Sequence, residues 1–368
     1  MLRWVLTAAF CVSFLLSLCL ALLVRRWAHR WGLLDHPGGR KDHPNPVALG
    51  GGVAIMLGCT VPVLALGAAA WLWAQNPSLF ALPQKLHSHV ALAAERFPLL
   101  AALLAGGVAI TALGLVDDVL HLGPRPKLVG QSVVAVAIAL LPQVRITLFI
   151  EAAWAQVAVT AVWIVLLINC FNLLDNTDGQ SGLVAFLTGG ALVVLGLQTG
   201  QNFIAGLVLA LMGAVLGFLL LNFPPASIFM GDAGSMFVGY MLAVSTTLAT
   251  FITGARVNPF FPVLVPLVIF AVPLYDTLSV LAIRFHTGRP LMRGDRNHFA
   301  HRLLRLGLSE RMVLLTIGLM VVATAPGATI PYGSSTWQVL VPATQAGAVV
   351  CIIMILEVAS ARLKAPLD

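Results

Sequence analysis

The sequence predicts an all-α integral membrane protein, a single domain over residues 1–368 built as a polytopic bundle of about eleven transmembrane helices. Three observations predict it. The chain is 59% hydrophobic and 10% charged, with a mean hydropathy of +0.96, whereas a soluble domain carries roughly 25% charged residues. Apolar runs of about 17–25 residues, each enough to cross a bilayer as a helix, recur along nearly the whole length. These runs lack the alternation of barrel strands, so their backbone groups are satisfied in lipid only as helices.

The first run, 2–24, exceeds the roughly 7–15 apolar residues of a signal-peptide core and shows no small-residue cleavage site. It is read as the first span. Further spans are expected near 49–74, 97–116, 129–149, 153–171, 183–199, 203–221, 235–253, 260–283, 312–330 and 337–358. The substantial hydrophilic insertions are 25–48, 75–96 and 284–311. Cys11, Cys19, Cys59, Cys170 and Cys351 lie in or beside spans without a CxxC pair, and read as small apolar fillers.

Charge sets the orientation. With the N-terminus outside, only Arg3, Lys85, Arg96, Arg145 and Arg256 of the 21 Lys and Arg residues fall on the outer side, and sixteen fall inside. Membrane proteins concentrate Lys and Arg in cytoplasmic loops, which also accounts for the net charge of +7 without a nucleic-acid partner. Topology does not require acids to follow, yet Asp117, Asp118, Asp175, Asp178 and Asp232 all land on the same inner side. A site on the cytoplasmic face does require it.

Five stretches carry the chemistry. In "GLVDDVLHLGPRPKLVGQ" (114–131), Asp117 and Asp118 end the third span and Lys127 precedes the fourth. A carboxylate pair suits a divalent metal or a base facing a phosphate, while an isolated pair is also an ordinary solvated helix end. In "NCFNLLDNTDGQSGL" (169–183), Asn169, Asn172, Asp175 and Asp178 recur at intervals of three, so one helical face or end holds all four. An EF-hand loop needs acids at alternate positions, and Thr177 and Gly179 occupy those places. Burying even one carboxylate at mid-membrane costs a few kcal/mol, so the cluster belongs at the interface.

In "NFPPASIFMGDAGS" (222–235), Pro224 and Pro225 stop a helix and Asp232 follows between Gly231 and Gly234, as a metal ligand or a helix cap. In "GRPLMRGDRNHFAHRLLRLGLS" (288–309), His298 and His301 stand one turn apart amid Arg293, Arg296, Arg302 and Arg305. Arginine forks suit phosphate oxygens better than zinc, and a basic helix on anionic lipid is the plainer alternative. "LLDHPGGRKDHPNPVALGGG" (33–52) gathers Arg40, Lys41 and His43 ahead of a glycine triplet. Together these put hard oxygen ligands and phosphate-binding cations on one face. The combination points to Mg²⁺-dependent phosphoryl transfer beside a lipid, because that chemistry is mainly positioning and charge neutralisation.

Taken in order, "GRKDHPNP…GG", "GLVDD", "NxxNLLDNxDG", "NFPPAxIFMGDAGS" and "DRNHFAHRLLRLGLS" resemble the polyprenyl-phosphate N-acetylhexosamine-1-phosphate transferases over nearly the whole chain. The resemblance implies transfer of a sugar 1-phosphate from a UDP-sugar to undecaprenyl phosphate in a bacterial inner membrane, with release of UMP. Mg²⁺ is the implied metal, with Mn²⁺ as a substitute, and a homodimer is compatible with it. By resemblance, Asp232 and Asn172 hold the metal, and Asp117, with Asp118 beside it, deprotonates the lipid phosphate. Lys127 contacts phosphate, Asp178 and Phe229 hold uracil, and Asp175 is a further acid of the site. His298 and His301, with Arg293, Arg296 and Arg302 around them, bind the diphosphate and sugar, while Arg40, Lys41 and His43 complete the basic surface. Ala300 replaces a histidine of the family's "HLHH", and Ala48 a common proline. The histidine-loop form favours a UDP-GlcNAc-type donor over the MurNAc-pentapeptide transferases. A secondary transporter would place its acids near the midplane on inverted repeats, and Asp276 in "PLYDTL" is the residue such a reading would use. It reads better as orienting inner-face groups from near the end of its helix.

Overall fold

The structure, a computed structural model, describes residues 2–35, 46–78, 81–147, 150–249, 261–290, 298–329 and 336–362. Among the described residues fourteen α-helices follow one another: α1 Leu2–Trp31, α2 Gly51–Gln75, α3 Gln84–Glu95, α4 Phe97–Leu120, α5 Pro124–Ala139, α6 Ala153–Leu174, α7 Gln180–Gln198, α8 Asn202–Asn222, α9 Gly231–Leu248, α10 Phe261–Ile269, α11 Ala271–His286, α12 Phe299–Arg305, α13 Glu310–Thr324 and α14 Thr336–Arg362. The two short strands β1 Leu34–Asp35 and β2 Val47–Ala48 pair antiparallel. The all-α polytopic expectation holds, and each expected span carries a helix.

The helices differ from the expectation in length. Among the described residues seven are long and apolar enough to cross a membrane alone: α1, α2, α4, α6, α7, α8 and the stretch Glu310–Thr329. The segment expected at 129–149 stops at Ala139 and continues as a 3-10 turn, Pro142–Val144, since Pro142 has no N–H to extend the helix. The one at 260–283 is two helices meeting at 79°. Pro266 and Pro273 flank the break at Phe270: Pro266 removes a hydrogen bond inside α10, and Pro273, in the first turn of α11, has no N–H to carry the ladder back across the break. Two insertions read as hydrophilic connections contain helices, α3 and α12, and α1 runs on to Trp31.

At the centre stands α9, buried continuously from Ala233 to Thr246. Burial on every side explains its modest apolarity: it meets protein rather than lipid. Tyr240 donates its hydroxyl proton to the Leu103 carbonyl of α4 at 2.9 Å, and Trp163 Nε1 of α6 donates to Thr246 Oγ1 at 2.9 Å. Small residues let the backbones approach. A Cβ on Gly114 of α4 would lie 2.5 Å from the Ala233 nitrogen and 2.6 Å from its Cα, and a Cβ on Gly52 of α2 would overlap the backbone of Gly234.

The segment before α9 is held from several sides. Phe229 N donates to the Ala48 carbonyl at 2.8 Å, while Gly51 N and Gly52 N donate to the carbonyls of Phe229 and Met230 at 3.0 and 2.9 Å. Thus the first free N–H groups of α2, which every helix must satisfy, are spent on this loop. Substituting Gly114 by Ala forces α4 off α9, because the atoms met are backbone. Overpacking of this kind costs about 1–3 kcal/mol; G114A is expected to melt several degrees lower than the parent in detergent.

Candidate active site

The C-terminal ends of α4, α6 and α8 and the N-terminal ends of α2, α5, α7 and α9 meet at one end of the bundle. There Lys127, in the first turn of α5, lies between three oxygen acceptors. Its Nζ donates to Asp117 Oδ2 at 3.0 Å, to Asn172 Oδ1 at 3.1 Å and, in its shortest contact, to Asp232 Oδ2. The Asn172 amide is fixed in turn, its Nδ2 donating to Asp232 Oδ1 at 2.8 Å and to Ser235 Oγ at 3.0 Å. Residues up to 105 positions away from Lys127 in the chain thus converge on its ammonium group.

Adjacent aspartates do different things here. Asp117 faces Lys127. Asp118 accepts from the backbone nitrogens of Asp232 at 2.8 Å and Ala233 at 3.1 Å, capping the first turn of α9 with a carboxylate supplied by α4. A negative charge at a helix N-terminus is favourable. Gly231, with φ of +68°, begins that turn, and a Cβ there would come 2.7 Å from Asp118 Oδ2.

At the turn from α6 to α7, Asp175 is surrounded by the bundle end. Burial first, then the negative charges of Asp232, Asp118 and Asp178, hold its carboxyl well above the usual carboxylate pKa. Asp178 Oδ2 accepts from Ala226 N at 2.7 Å. Asn222, buried at the end of α8, accepts from Gly179 N at 3.0 Å and donates to the Ile228 carbonyl at 2.9 Å. Arg25 reaches Ser227 Oγ at 3.2 Å and Arg311 Nε reaches the Pro224 carbonyl at 3.1 Å. Phe229 therefore sits on a loop anchored by α1, α2, α8, α13 and the α6–α7 turn.

The histidine segment is built from α11. Asp276, 1% exposed, receives the backbone N–H of Phe299 on Oδ1 at 2.6 Å, and its Oδ2 lies 2.9 Å from Nδ1 of buried His298. The carboxylate both caps α12 and orients the imidazole. Arg302 donates to Ser279 Oγ at 2.7 Å; His301 lies on α12. Arg40, Lys41, His43, Arg293 and Arg296 lie outside the described residues.

Beside the Lys127 cluster opens a cavity of about 710 Å³ between α5, α6 and α11. Asp117, Lys127, Asn169 and Asn172 stand among its lining, with Leu128, Val136, Ala161, Val162, Val165 and Leu166 providing an apolar wall. Val136 and Val162 are 42% and 67% exposed, so the wall opens on the lipid-facing side of the bundle. His298, His301 and Arg302 do not line it. Asn169, which lines the cavity, donates to Oε1 of the buried Gln131 at 2.7 Å, one turn deeper than Lys127 and Asn172.

Whether the donors suit a metal can be judged from the same atoms. Among the described residues no three acidic, histidine or cysteine side chains are grouped to enclose one. Asp117 Oδ1, however, is buried and faces no donor, and the oxygens of Asp117, Asn172 and Asp232 converge on a cation. Mg²⁺ takes one or two carboxylates and completes its shell with water and substrate phosphate, and this donor set fits that habit.

Residues 100–250 match the model of glycosyl transferase family 4. A Bacillus subtilis relative, a probable undecaprenyl-phosphate N-acetylglucosaminyl 1-phosphate transferase, is 30% identical over 336 residues, covering 89% of this chain and 86% of the relative. The chain belongs to the polyprenyl-phosphate N-acetylhexosamine-1-phosphate transferases of that family. It is thus a membrane-embedded phosphotransferase. A decaprenyl-phosphate N-acetylglucosaminephosphotransferase of Mycobacterium tuberculosis (strain H37Rv) is 32% identical over 83% of the chain and 77% of its own length. The undecaprenyl-phosphate alpha-N-acetylglucosaminyl 1-phosphate transferase of Salmonella typhi is 27% identical over 89% and 85%.

Sequence reasoning grouped Asp117, Lys127, Asn172 and Asp232 but missed Asn222, Gln131 and Ser235, single polar residues whose only signal was their place in apolar runs. The two aspartates separate by experiment. Asp118→Ala strips the cap from α9 and leaves two backbone donors buried, costing about 1–3 kcal/mol, and is expected to lower the melting temperature. Asp117→Asn is expected to melt near the parent yet lose turnover.

Proposed function

We propose that this chain transfers N-acetylglucosamine 1-phosphate from UDP-GlcNAc to undecaprenyl phosphate at the cytoplasmic face of a bacterial inner membrane, releasing UMP. The observation that carries the reading is the position of the Lys127–Asp117–Asp232–Asn172 cluster at the polar end of an apolar cavity open to lipid. A prenyl chain needs such a wall and a diphosphate needs such an end. The names of the relatives supply the substrate classes.

On this reading Asp117 takes the proton of the lipid phosphate, whose oxygen attacks the β-phosphorus of the UDP-sugar. The bond from that phosphorus to the bridging oxygen breaks, and UMP departs with the electron pair. Lys127 offsets the charge gathering on the transferred group. Asp118 and Asn172 hold Asp232 and its helix in place, so that little reorganisation accompanies the step. Asp178 and Phe229 take the uracil end, and His298, oriented by Asp276, takes the sugar phosphate along with His301 and Arg302. When bound, Mg²⁺ supplies charge neutralisation to the diphosphate, held by Asp232, Asn172 and the unpartnered oxygen of Asp117. The product would be the first lipid-linked intermediate of a cell-envelope polysaccharide.

Purified protein incubated with undecaprenyl phosphate, Mg²⁺ and a panel of UDP-sugars is expected to release UMP with UDP-GlcNAc and little with the others. Turnover of UDP-MurNAc-pentapeptide alone would move the chain to peptidoglycan synthesis. A phosphorylated aspartate trapped with UDP-sugar in the absence of lipid would replace the single displacement by two steps. Chelation by EDTA is expected to stop UMP release, and added Mg²⁺ or Mn²⁺ to restore it. Asp232→Asn should remain extractable as folded protein with turnover down by at least about a hundredfold; activity near the parent's would remove Asp232 from the metal.

A further inference from the structure

Asn172 is the amide of the Lys127 cluster, and what it can hold depends on which end of it faces the site. An oxygen turned that way binds a cation, whereas a nitrogen would repel one. Asp232 and Ser235 stand three residues apart on α9, hence on one helical face. Asn172 Nδ2 donates to both, to Asp232 Oδ1 at 2.8 Å and to Ser235 Oγ at 3.0 Å. Its Oδ1 is left to accept from Lys127 Nζ at 3.1 Å.

The three neighbours enforce this orientation for different reasons. An ammonium only donates and an ionised carboxylate only accepts. A hydroxyl does both, so Ser235 would select neither end of the amide if its proton were free. That proton is committed: Ser235 Oγ donates to the Gly231 carbonyl, one turn back on α9, at 3.0 Å. Only acceptor capacity then remains toward Asn172. Ser235 is also fully buried, so neither bond faces bulk water. Lys127 and Asp232 carry charge and belong to the place where a divalent cation would be held. Ser235 is neutral and, among the described residues, bonds only to Gly231 and Asn172. Its hold on the amide is therefore independent of what occupies the site.

We infer that Ser235 is a positioning residue for the metal, fixing the Asn172 amide with its oxygen toward the cation by accepting from its nitrogen. The assignment rests on the metal reading proposed above.

The test measures Mn²⁺ binding to detergent-solubilised protein by electron paramagnetic resonance, a readout that needs no turnover. Parent, S235A, S235T, N172A and the double variant S235A/N172A are compared. S235A is expected to bind Mn²⁺ about tenfold more weakly while melting near the parent, and S235T, which restores the hydroxyl, to return toward the parent. In N172A the amide to be oriented is gone, so adding S235A should weaken binding no further. In turnover, the Mg²⁺ concentration giving half-maximal rate should rise in S235A with KM for the lipid phosphate unaltered. Parent-like Mn²⁺ affinity in S235A would overturn the inference. So would a loss from S235A as large in N172A as in the parent, which would make Ser235 a packing residue of α9. A parent that binds no Mn²⁺ would overturn it together with the metal assignment. If the parent binds Mn²⁺ but releases no UMP from any UDP-sugar, the proposed function fails while the binding comparison still reads Ser235.

Discussion

The first turn of α9 governs the geometry of everything around it. Its helix is enclosed by protein through fourteen consecutive residues, so it has no lipid-facing side along which to slide. Its entry point is fixed by a carboxylate from α4 on two backbone nitrogens and by glycine contacts with α2 and α4. Asp232 is part of that turn and cannot shift without moving the bundle. Asn172 and Lys127 are positioned against Asp232, and Asp117 against Lys127. The polar cluster therefore inherits its accuracy from apolar packing, the arrangement a preorganised electrostatic site needs.

A second theme is that hydrogen bonds bind the surrounding loops by satisfying helix ends. Asn222 at the end of α8 holds both the start of α7 and the loop before α9. Asp276 does the same for α12 and His298, and α2 gives its terminal donors to the Phe229 segment. In each case a group that would otherwise need water is used to fix a functional segment.

Much of this was legible in the sequence, for an identifiable reason. In a chain with 10% charged residues, an acid or a lysine beside an apolar run stands out, so Asp117, Lys127, Asn172 and Asp232 could be named as one site before any fold was known. Their separate roles could not. Asp117 and Asp118 are identical neighbours, and only the roughly 100° turn of the helix between them decides that one meets Lys127 and the other the backbone of α9. The shortened α5 and the bend at Phe270 were written in Pro142, Pro266 and Pro273, but averaged hydropathy blurs single prolines. Contacts such as Gly52 with Gly234 depend on distant parts of the chain meeting, which no local pattern records.

The sideways mouth of the cavity has a consequence for traffic. With the proposed pair of substrates, one arrives from water over the bundle's end and the other from the plane of the membrane through the gap flanked by Val136 and Val162. The two routes reach the Lys127 cluster from different sides. The lipid-linked product can return through the same side door while the nucleotide diffuses off above it, so a cycle can run without either product waiting on the other.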